Sequence, residues 1–439
     1  MAAKSIETNT PLEKAQALVD RLYTLKNNYF DDHDISEAAK KNENVSLLLQ
    51  KTLDELEVIK DQCETENKAK YLLLRGKALN VLSHFNEDAL HDLEKAVKLD
   101  PKLVEAWNEL GECYWKKGDM ESAKNCFNGA LSKEKDKISL RQLSMVLRQL
   151  KVNEKDRVKT IEDSVSKAKE AVLLDANDGL SWCILGNAYL TLFFTSSQNP
   201  KLLKQAMISY SHADKDKNTV NNPDLHYNRA IIWKYEEEYQ KALEGFARAS
   251  ALDPLWSTSE EKEVALLQYL LKVQSLILNK GQLKTRRLQP MIQSLNESQL
   301  GPYRGGSYTS SGGKSVELKL VDFDDLKEGI NLNKVVYGKV ICNVVGEEPV
   351  PFTFCLIDKK SVCWSVTIYN IAQGKGVIIG DSVAIPEPFV QQIKVNYKEK
   401  DINYWNIRVD TPLVLVVNGK KLQIDKQAMT EIAVSIVNN

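Results

Sequence analysis

The sequence predicts a mainly α protein with a C-terminal all-β module, an α-α superhelix of about six helical-hairpin repeats followed by a small β-barrel. Three observations predict it. Glycine and proline are scarce in the 439 residues, at 20 and 12, so long helices are expected. One helix-pair pattern recurs in register between residues 67 and 282. Beyond residue 316 the apolar period changes from helical to two.

The chain opens with a helical hairpin over residues 1–66. Ala15, Leu18, Leu22 and Leu25 follow the helical period, and Ser46 to Ile59 does the same. Such an atypical first pair suits the capped end of a stack. The repeat itself is clearest from Val104 to Leu131. Trp107, Leu110, Gly111 and Tyr114 lie on one helix, Ala123, Phe127 and Ala130 on the next, with Gly118 as the turn. Large residues fill the seam, while Gly111 and Ala123 let the two helices approach closely. Trp182, Leu185, Gly186 and Tyr189, then Ala206, Tyr210 and Ala213, repeat the pattern after an insertion around Phe193 to Pro200. Another copy carries Arg229, Ala230 and Trp233, then Ala242, Phe246, Ala249 and Pro254. Upstream, Gly76 and Leu79 pair with Ala89, Leu93, Ala96 and Pro101. A degenerate copy has its first helix at Ser139 to Leu150, with Leu143, Ser144 and Leu147 in the seam. These residues resemble the tetratricopeptide pattern, whose period is about 34 residues. Ser257 to Asn279, with Val264, Leu267, Leu271, Val273 and Leu276, reads as a capping helix that closes the solenoid.

Residues 283–315 read as a basic, glycine-rich linker, since Gly301 to Ser315 holds five of the 20 glycines. Its Gly-Gly-Lys-Ser is no phosphate-binding loop, because Tyr308 stands where such a loop needs glycine and no apolar strand precedes it. From 316 to 439 alternating runs set Val336, Gly338, Val340, Cys342 and Val344 against Lys339 and Asn343. Phe352 to Leu356, Val362 to Ile368 and Trp405 to Val409 continue the pattern. Five or six antiparallel strands of this size suit a small barrel. Their order and the Gly380 to Val383 turn resemble an oligonucleotide/oligosaccharide-binding (OB) fold, with a split sandwich as the alternative.

Lys plus Arg number 59 against 60 Asp plus Glu, which disfavours a nucleic-acid binder relying on bulk positive charge. The seven cysteines form no Cys-x-x-Cys pair, and no run approaches the ~18 apolar residues of a membrane span. With a polar stretch from Met1 to Pro11, the chain is expected in cytoplasm and nucleus with reduced thiols. No catalytic residue, metal ligand or cofactor is expected. The five histidines have no nucleophile or carboxylate at motif spacing, and His226 occupies the seam position of Trp107 and Trp182. The runs Glu236-Glu237-Glu238 and Asp324-Asp325 read as solvated.

Binding is the expected activity. In a right-handed stack the first helices line a groove, and repeat positions two, five, nine and twelve point into it. These positions place there Lys77, Asn80, Asn108, Glu112, Arg148, Asn187, Asp224, Tyr227 and Lys234, with Lys284 just past the capping helix beside Arg286 and Arg287. Asn and Arg grip a peptide backbone and a carboxylate, and Asp224 accepts from an arginine. A groove mixing both signs favours a peptide ligand bearing both signs. On the barrel, Tyr337, Lys339, Tyr369 and Arg408 offer aromatics interleaved with bases, the surface single-strand binding needs, although the domain's charge is nearly balanced.

A repeat solenoid followed by one such barrel resembles a family of stress-responsive, acetyltransferase-associated tetratricopeptide cofactors. Trp107 to Asp119, Ser144 to Leu150, Asn222 to Ala230, Ala242 to Pro254, Pro351 to Phe354, Tyr369 to Ile371, Ile379 to Pro388 and Val416 to Lys420 carry the resemblance. It implies a non-enzymatic adaptor with a nuclear and a cytoplasmic role. In the nucleus it would link a histone acetyltransferase and its coactivator to a tumour-suppressor transcription factor in DNA-damage and chromatin settings. In the cytoplasm it would recognise the N-terminal Met-Arg-Glu-Ile or Met-Arg-Glu-Cys of nascent tubulins at the ribosome and trigger decay of their mRNA, which is tubulin autoregulation. The alternatives are DNA or RNA binding through the OB-fold, and a co-chaperone clamping a chaperone's C-terminal carboxylate. Asp224 and Glu112 interrupt the positive field that such a clamp requires.

Overall fold

A computed structural model describes residues 10–196, 199–305, 307–309, 315–344, 351–372 and 374–427. Residues up to 232 together with 245–259 form one compact unit, and residues 233–244 together with 260–427 belong to a second.

The helices of the first unit run in pairs. They are α1 (Pro11–Asn27), α2 (Tyr29–Asp32), α3 (Lys41–Leu79), α4 (Glu87–Leu99), α5 (Val104–Lys117), α6 (Met120–Leu131) and α7 (Lys137–Gln149), followed by α8 (Glu154–Leu174), α9 (Gly179–Thr195) and α10 (Pro200–Ala213). α11 (Pro223–Tyr235), α12 (Tyr239–Leu252) and α13 (Ser257–Leu278) contribute residues to both units. Short polar side chains start these helices: Asp119, Asp136 and Asp178 each accept from the backbone N–H of a serine three residues on. Gly118 ends α5 in the left-handed conformation, φ 85°, which a side chain would resist. α3 breaks at Asn67, whose backbone is extended and whose side chain accepts from Lys70 N at 3.0 Å, so one half pairs with α1 and the other with α4.

Small residues set the spacing within each pair. A Cβ on Gly111 would lie 2.6 Å from the Phe127 ring, and one on Gly186 2.4 Å from the Tyr210 ring. In the degenerate pair the same place is polar: Ser144 and Ser164 hydroxyls meet at 2.9 Å. The expected insertion near Phe193 is partly a lengthening of α9, which buries Phe193 and Phe194. In α13 the buried stripe is Leu266, Leu270 and Val273, while Val264 is exposed, so the helix is rotated by about one position from the expected phase.

In the second unit the main strands are β1 (Lys334–Val344), β2 (Phe352–Ile357), β3 (Cys363–Ile368), β4 (Ser382–Pro386), β5 (Phe389–Tyr397) and β6 (Lys400–Val409), ordered β4-β1-β2-β3-β6-β5. All neighbours are antiparallel except β3 and β6, which run parallel, contrary to the all-antiparallel expectation. Val336, Val340, Phe354, Leu356, Val366, Val383 and Ile407 fill one face, with Trp364 stacked between Phe323 and Trp405. β1 has a bulge between Val340 and Cys342, which turns Ile341 and Cys342 to the opposite face from Val340. The even alternation through Cys342 therefore stops at Val340.

The outer face is covered. β2 and β3 are buried almost throughout, and the cover comes from helical segments of the same unit. Glu237, expected to be solvated, is 3% exposed and sits at φ 61° between α11 and α12. Its carboxylate accepts from Tyr369 OH at 3.1 Å and Asn406 Nδ2 at 2.8 Å, and lies 3.5 Å from Arg408 Nη1. Arg408 also donates to Tyr235 O at 2.7 Å and lies over the Tyr369 ring. From α13, Tyr269 OH meets Thr353 Oγ1 at 2.7 Å, and Glu263 pairs with Tyr397 and Lys398.

Nor is 283–305 an open linker. It forms α14 (Thr285–Gln293) and a 3-10 stretch, Glu297–Gly305. Leu288 and Ile292 pack on Ile341 and Ile357, while Leu295, Leu300 and Tyr303 pack on Val335, Tyr337 and Val416. The apolar spacing within 288–295 is helical and outweighs the glycines that follow it. Of the expected linker, residues 306 and 310–314 lie outside the described residues.

Two stability outcomes follow from this packing. Gly186→Ala forces a methyl against a ring whose hydroxyl is already held, and should cost about 2 kcal/mol in urea unfolding. Glu237→Ala removes the buried one of Arg408's two carboxylate partners, leaving only exposed Asp410, and should destabilise the second unit by about 3 kcal/mol, whereas Glu237→Gln should cost less because it keeps the acceptor. Equal losses for the two Glu237 variants would contradict the acceptor argument.

Candidate functional site

The first helices of the repeats, α5, α7, α9 and α11, carry the residues expected to line a groove, and their hydrogen bonds divide those residues into two groups. Asn108 is committed to the fold: its Nδ2 donates to Asp136 at 2.9 Å and its Oδ1 accepts from Ser139 at 2.6 Å, joining α5 to α7. Asn187 Oδ1 accepts from Tyr210 OH at 2.8 Å and from Asn228 Nδ2 at 3.1 Å, joining α9 to α10 and α11. Asn228, fully buried, carries no sequence signal of its own, because its importance depends on this three-residue junction and not on any motif. Tyr227 is buried with its ring against Phe246 and Trp256. It forms wall, not an open contact.

Arg148, at the end of α7, is different. It is 8% exposed, and its Nε has no hydrogen-bond partner among the described residues. Burial pulls the guanidinium below its ordinary pKa, while Tyr210, Asp224 and Cys183 stand close enough to oppose the shift. Asp224 is also buried, in the first turn of α11, where its negative charge suits the helix N-terminus. A buried guanidinium lacking its full set of acceptors carries an uncompensated desolvation cost, which a carboxylate arriving from outside would offset.

The N-terminal stretch of the same row is already paired. Lys77 Nζ lies 2.6 Å from Glu105, and Lys116 Nζ lies 2.9 Å from Glu112 and bonds Asn80 O at 2.5 Å. Burial and the neighbouring Glu112 carboxylate push Glu109 up, while Lys116 and Lys26 hold Glu112 down. Lys234 and Lys284 belong to the second unit, where Lys234 is half-buried and Lys284 is exposed at the start of α14. His226 is a packed histidine: its Nε2 is 2.8 Å from Val220 O, and burial lowers its pKa.

The aromatic and basic barrel face expected for single-strand binding is not open. Tyr369 is 1% exposed, and both it and Arg408 are engaged with Glu237. Tyr337 is buried beneath the Leu295–Tyr303 packing, and Lys339 is buried with Nζ 3.2 Å from Gly380 O. Alternation correctly put these side chains opposite the barrel core, but it carried no information about the helices covering that side.

Comparison with known proteins agrees with both halves of the fold. Residues 317–431 match the family model described as the tetratricopeptide repeat protein 5 OB fold domain, and residues 86–146 match a tetratricopeptide repeat model. The chain is 47% identical to tetratricopeptide repeat protein 5 of Mus musculus over 435 residues, covering 99% of this chain and 98% of that protein. The Homo sapiens protein of the same name is 47% identical with the same coverage. Among solved structures, the APC/C hetero-tetramer Cut9-Hcn1 is similar at 15% identity and a TM-score of 0.42, covering 58% of this chain and 48% of that one.

The paired stretch has a pH signature. Because the native value of Glu109 is raised, the folded chain holds that proton more tightly than the unfolded chain. Its contribution to stability is therefore greatest at or below the unfolded carboxylate value of about 4.3 and declines as pH rises through the raised native value. Glu109→Gln should remove that decline, seen as a shallower fall of unfolding free energy with pH than in the parent. Parallel pH profiles would rule out a raised Glu109.

Proposed function

The chain belongs to the tetratricopeptide repeat protein 5 family, and we propose that it acts as a non-enzymatic adaptor whose repeat groove holds a short peptide bearing both signs of charge. The observation that carries this reading is Arg148, buried with Nε unpartnered among the described residues and within the field of Asp224. A ligand glutamate supplies the acceptor that Arg148 lacks, and a ligand arginine directed at Asp224 keeps the pair neutral as water leaves.

The ligand of this reading is the N-terminus of newly made tubulin, Met-Arg-Glu followed by Ile or Cys, met at the ribosome, with recognition leading to decay of the encoding mRNA. Its adjacent Arg and Glu match Asp224 and Arg148 in sign. The nuclear role of the same adaptor is to link a histone acetyltransferase and its coactivator to a stress-activated tumour-suppressor transcription factor in chromatin. The barrel recruits or positions a second protein in either setting. Protein binding is favoured over nucleic acid for the barrel because Tyr337, Lys339 and Tyr369 are buried. Residence in both cytoplasm and nucleus follows from the two roles.

The test is binding of an immobilised Met-Arg-Glu-Ile peptide. Arg148→Glu and Asp224→Lys should each weaken it at least about 30-fold, the scale for breaking a buried charge contact. The helical melting curves serve as the folding control. A peptide with its Arg and Glu exchanged should bind poorly to the parent protein. Unchanged affinity in both variants with intact melting would remove the groove assignment.

A further inference from the structure

Three of the seven cysteines lie together on the outer face of the barrel. Cys342 in β1 is the direct cross-strand partner of Cys355 in β2, and Cys355 is the diagonal neighbour of Cys363 in β3, whose own partner is Ile357. The bulge at Ile341 is what turns Cys342 toward Cys355. All three belong to an apolar layer with Leu288 and Ile292, and the backbone of Gly281 lies close over Cys342: a Cβ there would be 3.2 Å from its Sγ. Cys355 is fully buried, whereas Cys342 and Cys363 keep 7% and 9% of their surface.

We propose that Cys342 and Cys355 form a dithiol oxidation site, at which a small peroxide converts the pair into a cross-strand disulfide. Directly opposed strand residues have Cβ atoms about 4.5–5.5 Å apart, near the separation a disulfide needs, while diagonal neighbours stand roughly 7–8 Å apart. That geometry selects Cys342–Cys355 over Cys355–Cys363. The Cys342 sulfur, the more accessible of the pair, attacks one peroxide oxygen. The O–O bond breaks, one water leaves with the thiol proton, and Cys342 becomes a sulfenic acid. The Cys355 sulfur then displaces that hydroxyl, which leaves as a second water with the Cys355 proton, and the S–S bond closes. Two electrons pass from the two thiols to the peroxide.

The neighbouring Cys355 lowers the Cys342 pKa and so favours the attacking thiolate. In the solenoid, burial instead raises the pKa of Cys63, Cys113, Cys126 and Cys183. These four are internal controls. The product staples β1 to β2 beneath the Leu288–Ile292 cover.

Exposure of the full-length protein to hydrogen peroxide, followed by alkylation and non-reducing peptide mapping, tests this. The expected result is one linked peptide pair joining Cys342 to Cys355, lighter than the two free peptides by two hydrogen atoms and reversed by dithiothreitol. The four solenoid cysteines should remain alkylatable after denaturation. Cys342→Ser should abolish the link and Cys363→Ser should retain it. Full alkylation of Cys342 and Cys355 after peroxide, or a bridge from Cys355 to Cys363 in the unaltered protein, overturns the proposal. The mapping of the unaltered protein decides the matter even if a variant fails to fold.

Discussion

The second unit depends on one buried carboxylate. Glu237 sits at the turn between α11 and α12 in a backbone conformation that disfavours a side chain, φ 61°, and is removed from water. Both features are unfavourable alone. They are offset because the Arg408 guanidinium, the Tyr369 hydroxyl and the Asn406 amide converge on the same two oxygens. Asn406 in turn accepts from Ser365 and Thr367, so the charge is tied to hydroxyls on β3. Such a network tolerates little displacement, since any slip leaves a charged group unpaired in a low dielectric. The cover on β2 and β3 is thus held by specific polar contacts as well as by the apolar layer of Leu288 and Ile292.

That cover changes what a barrel of this kind can do. The strands β2 and β3 have side chains buried on both faces, one side in the barrel core and the other beneath helices of the same unit. Tyr and Arg residues on such a face would ordinarily invite a stacked base. Here Arg408 stacks over Tyr369 and Tyr235, so its cation–π and hydrogen-bonding capacity is consumed internally. The barrel's chemistry on this face is directed inward.

What the sequence reveals depends on which side of an element a pattern reports. Gly76, Gly111 and Gly186 were legible because their constraint is local: each faces one ring or leucine on the next helix at a fixed spacing. The strands were legible because their inner faces share one core. Glu237 was not, since an acidic triplet has no period and only long-range pairing distinguishes its middle member. Alternation places Cys342 on the wrong face because one inserted residue, Ile341, reverses the pattern without leaving a glycine or proline to mark it. Repeat position selects Arg148 and Asp224, and it selects Asn108 and Asn187 equally. Only the hydrogen bonds show that both asparagines are bound to neighbouring helices.

Arg408 and Arg148 make the remaining distinction. Arg408 and Arg148 are both largely withdrawn from water, yet their surroundings differ. Arg408 has two carboxylates, a backbone carbonyl and two rings, and its pKa is raised despite burial. Arg148 has a lowered pKa and an Nε without a partner among the described residues. A buried charge fully compensated by its own chain sets geometry. One left short of acceptors keeps a desolvation cost that a further acceptor would offset. The paired stretch of Lys77, Glu105, Glu112 and Lys116 supports this contrast within the same row of helices, because salt bridges already in place offer an incoming charge little further gain.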